Sequence, residues 1–225
     1  MRRRDFIGAA IAASVLPFTT RAQSPPPRYA DMHAHMGSRY QRGYRAQMEA
    51  GGMLLVAETL SSDGALLRSM GGRMQMTREP KPGELRANFD ARFEWRRQAM
   101  AKEGLVAVSS VEALERVLKE RVPGLVLAAE GADFLDGELS YLEKARSQGL
   151  VHVQLVHYYP RSLLGDIATE AATQGGGVTA FGLDVVRACN RLGMLVDIAH
   201  CTNAGMLQVL EVSTKPVVYS HGHVK

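Results

Sequence analysis

Cysteine is scarce in this chain: only Cys189 and Cys201 occur among 225 residues. Two thiols cannot build the framework of bridges that staples small secreted domains, and neither has zinc-finger spacing. Cys189 falls in a helix-patterned segment and Cys201 follows His200 at a strand end. Two free, semi-buried thiols are the plainer expectation, and a bridge between them stays open. Long apolar runs are also missing. The candidate at Gly8 to Phe18 is well short of the ~20 residues that span a bilayer. No basic stripe with interleaved aromatics is present, which argues against nucleic acid as a partner. The marks of disorder are absent as well, since 46% of the residues are hydrophobic. A chain of this length and composition can bury a core, as one domain or a small pair.

The first residues read as an address. Arg2-Arg3-Arg4-Asp5-Phe6-Ile7 is a charged head, Gly8 to Phe18 an Ala-rich apolar run, and Thr20-Arg21-Ala22 offers small residues at the usual cleavage spacing. Paired arginines followed by an acidic residue and Phe look like a twin-arginine export signal over residues 1–22, which implies a periplasmic or secreted protein without a transmembrane span. Four arginines and one aspartate lie in that leader, so of the formal +4 about +1 belongs to residues 23–225. The high isoelectric point is largely the leader's.

Beyond the Pro-rich linker Pro25-Pro26-Pro27, apolar strand-like runs alternate with helical patterns. A strand carrying His33 is followed by a helix over Tyr40 to Ala50 and a strand over Met53 to Ala57. Ser61 to Gly83 lacks periodicity and reads as a loop with one short helix around Gly64 to Met70. Leu85 to Ala101 is an amphipathic helix with Phe89, Phe93 and Met100 on one side, Trp95 at its edge and arginines elsewhere. Ser109-Ser110-Val111-Glu112 resembles a capping box that opens a helix to about Arg121. Then come a strand over Leu125 to Ala129, a helix from Gly137 to Gln148 stopped by Gly149, and a strand from Val151 to Val156. A polar connection over Arg161 to Gly177 leads to a helix from Ala180 to Leu192, a strand from Met194 to Ala199, a helix from Asn203 to Val212 and a strand from Pro216 to Ser220. Near-continuous Val, Leu, Ile and Ala in strands separated by helices predict parallel βαβ units covered on both faces.

Metal-ligand residue types recur at the C-terminal ends of these strands. His33 and His35 sit two apart on an extended segment and so share a face. Glu130, His157, His200 and His221 each end or follow an apolar run. In parallel barrels that edge is where catalytic residues gather from several strands. The expected fold class is α/β, a TIM-type (β/α)8 barrel with about six of its eight βα units present. A chain that stops at Lys225, with no helix to cover its last strand, reads as a partial or truncated version of a larger domain. Histidines and a carboxylate at one rim suit Zn²⁺ or a similar borderline metal. A carboxylate can bridge two ions, whereas an imidazole is a terminal ligand. Two ions about 3.5–4 Å apart can activate a water and polarise a carbonyl, which is hydrolytic chemistry.

The segment Gly177-Val178-Thr179-Ala180-Phe181-Gly182-Leu183-Asp184-Val185-Val186 resembles the membrane dipeptidase family (renal dipeptidase-like, peptidase family M19), a branch of the metal-dependent amidohydrolases. The likeness runs on through Asn190 to His200 and through Pro216 to His221, with Glu130-Gly131-Ala132 and Asp31-Met32-His33 in the right order upstream. It implies a zinc-dependent dipeptidase acting on dipeptide-like substrates through metal-activated hydroxide. His33 and His35 would bind one Zn²⁺, His200 and His221 the other, and Glu130 would bridge them. His157 would be catalytic, contacting the substrate carbonyl oxygen and the tetrahedral intermediate. His152, at the opposite end of its strand, is expected to be structural, Asp197 to orient a neighbouring backbone or histidine, and Asp133 to serve a loop or cap. Two departures stand out. The family's His-x-Asp is His33-x-His35 here, as in many other amidohydrolases. The family's late-strand aspartate and its carboxylate-binding arginine have no counterpart up to Lys225; His223 reads as part of a frayed end. Hydrolysis of a lactone, a β-lactam or another cyclic amide, and a non-catalytic metal-binding remnant, are the alternative readings. Copies can also associate as a homo-oligomer, but no interface is legible.

Overall fold

A computed structural model describes residues 28–35, 43–173 and 175–222. The leader, the triple-proline linker, His223 and Lys225 lie outside the described residues, as does the start of the first expected helix. Nine strands are described: β1 (Tyr29–Ala34), β2 (Met53–Ser61), β3 (Leu67–Met70), β4 (Arg73–Met76), β5 (Val106–Ala107), β6 (Gly124–Glu130), β7 (Leu150–Gln154), β8 (Leu195–Asp197) and β9 (Val217–Val218). Between them run α1 (Tyr44–Gly51), α2 (Glu84–Glu103), α3 (Val111–Glu120), α4 (Ser140–Ser147), α5 (Ala180–Leu192) and α6 (Asn203–Val212).

Strands β1, β2, β6, β7, β8 and β9 pair in that order, every pair parallel, and β5 adds two residues beside the start of β6. Those six are the strands expected for an incomplete barrel. The sheet curls: the ring of His33, on the first edge strand, lies 3.9 Å from that of His221, just past the last, centre to centre. The apolar runs explain the layering, because a parallel strand covered by helices has no solvated face to keep polar. Val56, Leu125, Leu127, Val153, Leu155 and Val196 are all buried in one core with Phe89 and Phe93 of α2. Phe89 stacks on Phe134 at 4.0 Å and on Phe93 at 5.2 Å.

The register aligns the strand ends. Ser61 pairs with Glu130, Glu130 with Gln154, Gln154 with Asp197, and Asp197 with Val218, so one rung crosses the sheet. Glu130 stands on that rung, and His157, His200 and His221 each follow their rung residue by the same short step. A common offset from a common rung brings residues that are remote in sequence to one rim.

The caps follow local chemistry. Thr179 and Thr202 accept the Gly182 and Gly205 amides at the starts of α5 and α6, and Gly193 closes α5 in the left-handed region. At α3 the capping residue is Ser110, which accepts the Ala113 amide, rather than Ser109. Three further features differ from the sequence reading. Strand β2 does not end at Ala57 but continues through Glu58, Thr59 and Ser61. The expected loop after it contains a short 3-10 turn and an antiparallel β3–β4 hairpin. Gly71 and Gly72 turn that hairpin with φ of 59° and 79°, the conformation a two-residue hairpin turn demands. Finally, Arg96 is not on a solvent face of α2: it is buried and ion-paired with Glu58 of β2.

Candidate metal centre

Glu130 is the middle of the site. Only 1% exposed at the end of β6, its carboxylate is surrounded by five imidazoles. Oε1 lies 3.3 Å from Nε2 of His157, 3.5 Å from that of His33 and 3.7 Å from those of His200 and His221, while Oε2 lies 3.3 Å from Nε2 of His35. The structure therefore brings all six residues expected at the site together. His33 and His35 approach at Nε2 to 3.2 Å, and His200 and His221 to 2.9 Å.

These contacts have the character of a cation cage. Nδ1 of His35 faces the Thr59 carbonyl at 3.1 Å. A carbonyl only accepts, so Nδ1 carries the proton and Nε2 presents a lone pair towards Glu130. That leaves the buried Oε2 of Glu130 with no hydrogen-bond donor among the described residues. Lone pairs converging on a carboxylate call for a positive ion between them. Bonds of about 2.0–2.2 Å in a tetrahedron place ligand atoms about 3.3–3.6 Å apart, close to the spacings of His33, His35 and Glu130. His33, His35 and Glu130 bring ligand atoms close enough together to hold a metal ion, and His200 and His221 face the same carboxylate oxygen, Oε1, as His33.

Burial keeps His33, His200 and His221 in ligand form. Burial, reinforced by the neighbouring His221 and His35, lowers His33 to about 4. Burial together with His157 and His221 lowers His200 to about 3. His221 is lowered by burial as well. Glu130 is raised by its burial, against the opposing pull of His157 and His35. His157 goes the other way. Its burial favours the neutral ring, but the hydrogen bond and charge of Asp63, with the charge of Glu130, outweigh that and hold the ring proton.

Asp63 is the residue that sequence reasoning missed. Buried just beyond β2, it accepts from Nδ1 of His157 at 2.7 Å with one oxygen and from the Tyr158 amide at 3.2 Å with the other. This leaves Nε2 of His157 facing the site. Reading the strand through its polar residues Glu58, Thr59 and Ser61 would have placed Asp63 at the same rim.

A second buried carboxylate supports the far side. Asp197 accepts the Ala199 amide at 3.0 Å, the Ser220 amide at 3.2 Å, the Ser220 hydroxyl and the ring of His152 at 3.0 Å. It therefore orients both backbone and histidine, and His152 is its buried partner. Ser220, its hydroxyl proton given to Asp197, offers its oxygen to Nδ1 of His221 at 2.9 Å. That contact fixes the tautomer whose Nε2 faces Glu130. Ser220→Ala is expected to weaken metal retention by roughly 10–100-fold, measured by chelator competition, while Ser220→Thr retains it. His200 itself has φ of 64°, and its carbonyl accepts the Ala168 amide at 2.8 Å. A non-glycine residue held in the left-handed region is strained, as residues at functional sites often are.

Asp133, in the 3-10 turn Ala132–Leu135 after Glu130, has a loop role: it accepts the Leu163 amide at 3.0 Å. Burial raises it from 3.8 to about 7, against the hydrogen bonds from Ser162 and Leu163. The folded chain thus holds a proton here that the unfolded chain has released, and stability from this group is lost as pH rises from about 4 to 7. Asp133→Asn is expected to remove that slope and gain on the order of 2 kcal/mol over the parent at pH 8, read from denaturant melts at pH 5 and pH 8.

Both cysteines are free and buried. Among the described residues no helix is long and apolar enough to cross a membrane.

A family model for membrane dipeptidase (peptidase family M19) matches residues 90–225. Dipeptidase tcpJ of Claviceps purpurea (strain 20.1) is 34% identical over 106 residues, 47% of this chain and 25% of that protein. Dipeptidase 3 of Mus musculus is 32% identical over 130 residues, 56% of this chain and 26% of that one. A metallo peptidase from Rhodobacter sphaeroides, solved with a phosphinate mimic of the dipeptide L-Ala-D-Ala, has the same fold. It superimposes with a TM-score of 0.66 at 17% identity over 86% of this chain and 64% of that one. The chain spans about a quarter of the length of the curated relatives it matches. With more than half of its residues under that family model, it belongs to the membrane dipeptidase family, peptidase family M19.

Proposed function

We propose that the protein hydrolyses the amide bond of dipeptides with two Zn²⁺ ions, which Glu130 and the histidines around it would hold. The observation that carries this reading is one buried carboxylate that faces His33, His200 and His221 with one oxygen and the lone pair of His35 with the other. His33 and His35 would hold one ion, and His200 and His221 the other. When bound, the ions would supply an activated water and polarise the scissile carbonyl. The protein's own groups do the rest. Glu130 holds negative charge between the two positions, and Asp197 with Ser220 keeps His221 turned inward. His157, held protonated by Asp63, presents Nε2–H where negative charge develops on the carbonyl oxygen. We further propose export to the periplasm through the twin-arginine-type leader; the pattern from Arg2 to Ala22 supports it.

Metal analysis of the purified protein tests the reading first. Two zinc ions per chain, and dipeptide hydrolysis that stops on chelation and returns with zinc, are the expected results. A protein that takes up no metal at all would sink the proposal. His35 in place of a carboxylate supports a second reading, hydrolysis of lactones or cyclic amides. Assays of both substrate types side by side separate the two, a clear preference for cyclic substrates favouring the second.

A further inference from the structure

One cavity of about 1210 Å³ opens over the histidine–glutamate cluster and continues to a wall outside the strand ends. That wall is made by Leu67 and Met74 of the β3–β4 hairpin and by Trp95 and Arg96 of α2. The volume exceeds the ~300–1,000 Å³ usual for small-molecule sites, and the metal-type residues account for only one end of it. At the other end Trp95 is 43% and Met74 39% exposed. Large apolar side chains scattered singly over a surface mean little, but these converge on a single cavity.

The wall is also built rigidly. The guanidinium carbon of Arg96 sits 4.7 Å from the centre of the Trp95 ring, and Arg96 is anchored by its buried pair with Glu58. An aromatic ring already held in place loses little freedom when a ligand packs on it. Leu67, buried, roots the hairpin, while Arg92 at the rim is tied back to the Ser61 carbonyl at 3.0 Å.

We infer that this wall is a side-chain subsite, with Trp95 its specificity-determining residue, and that it takes a large apolar or aromatic side chain of the substrate. The inference rests on the dipeptidase reading and names the substrate class that reading leaves open. The test compares kcat/KM for Ala-Ala, Ala-Phe, Phe-Ala and Ala-Glu in the zinc-loaded protein and in its Trp95→Ala and Trp95→Phe variants. The unaltered protein is expected to favour one phenylalanine dipeptide over Ala-Ala by about tenfold or more. Trp95→Ala should abolish that advantage, and Trp95→Phe should keep most of it. Equal losses on Ala-Ala and the phenylalanine dipeptides overturn the inference, as does a preference for Ala-Glu. If the metal-loaded, unaltered protein cleaves none of the four, the proposed function itself fails, a result distinct from either.

Discussion

Replacing Glu130 by glutamine is expected to lower metal affinity by more than about a hundredfold and dipeptide hydrolysis by on the order of a thousandfold. At the same time the metal-free protein should melt at a higher temperature. The opposite signs have one cause. With no ion present, burial makes the charged form of Glu130 unfavourable, which is why its pKa is raised. Glutamine fills the same space without the charge, and its amide can donate to the imidazole lone pairs around it. A bound cation would be held by that negative charge, and a neutral amide supplies it poorly. Metal content by mass spectrometry, rates with dipeptide substrates, and melts in the presence of chelator read the three effects separately. A Glu130→Gln protein that kept its metal would show that the carboxylate does not bridge.

Asp63→Asn should leave the metal in place and still reduce kcat by roughly 10²–10³-fold, with a smaller change in KM. Asp63 contacts His157 and the Tyr158 amide, one oxygen to each. Asparagine keeps only one oxygen, so it must either abandon the amide or turn its NH₂ group towards Nδ1 of His157. In both cases the charge that keeps the ring protonated is gone, and Nε2 is a weaker donor when negative charge builds on the substrate. Because Asp63 makes no hydrogen bond or ion pair to a proposed metal ligand among the described residues, metal content serves as the control. Loss of zinc in the variant would recast Asp63 as a structural support, and an unchanged kcat would remove His157 from the mechanism.

Much of this architecture is legible in the sequence. Apolar runs such as Leu125 to Ala129 and Val151 to Val156 can only be buried parallel strands when helices separate them, and β6 and β7 are such strands. Helix stops were readable where the chemistry is local, as at Gly193. The hairpin was not: its strands are short and mostly exposed, so the Gly71-Gly72 turn had no alternating pattern beside it. The sequence pattern ends β2 at Ala57 because Glu58 is polar, yet Glu58 is fully buried through its pair with Arg96, 38 positions along the chain. A buried charge becomes affordable only with such a partner, and no local pattern announces one.

The candidate site divides in the same way. Sequence by itself determined which side chains stand at strand ends: His33, His35, Glu130, His157, His200 and His221 are recognisable because each follows or ends its own apolar run, and strand runs are a local property. Tertiary structure alone decided how those ends meet. The register of one rung from Ser61 to Val218 and the curl that lays His33 against His221 depend on pairings between distant strands. The same pairings bring Asp63 to His157 and Ser220 to His221, and so decide which ring nitrogens carry protons. Those hydrogen bonds act over about 3 Å between residues far apart in the chain, a distance that exists only once the sheet has formed.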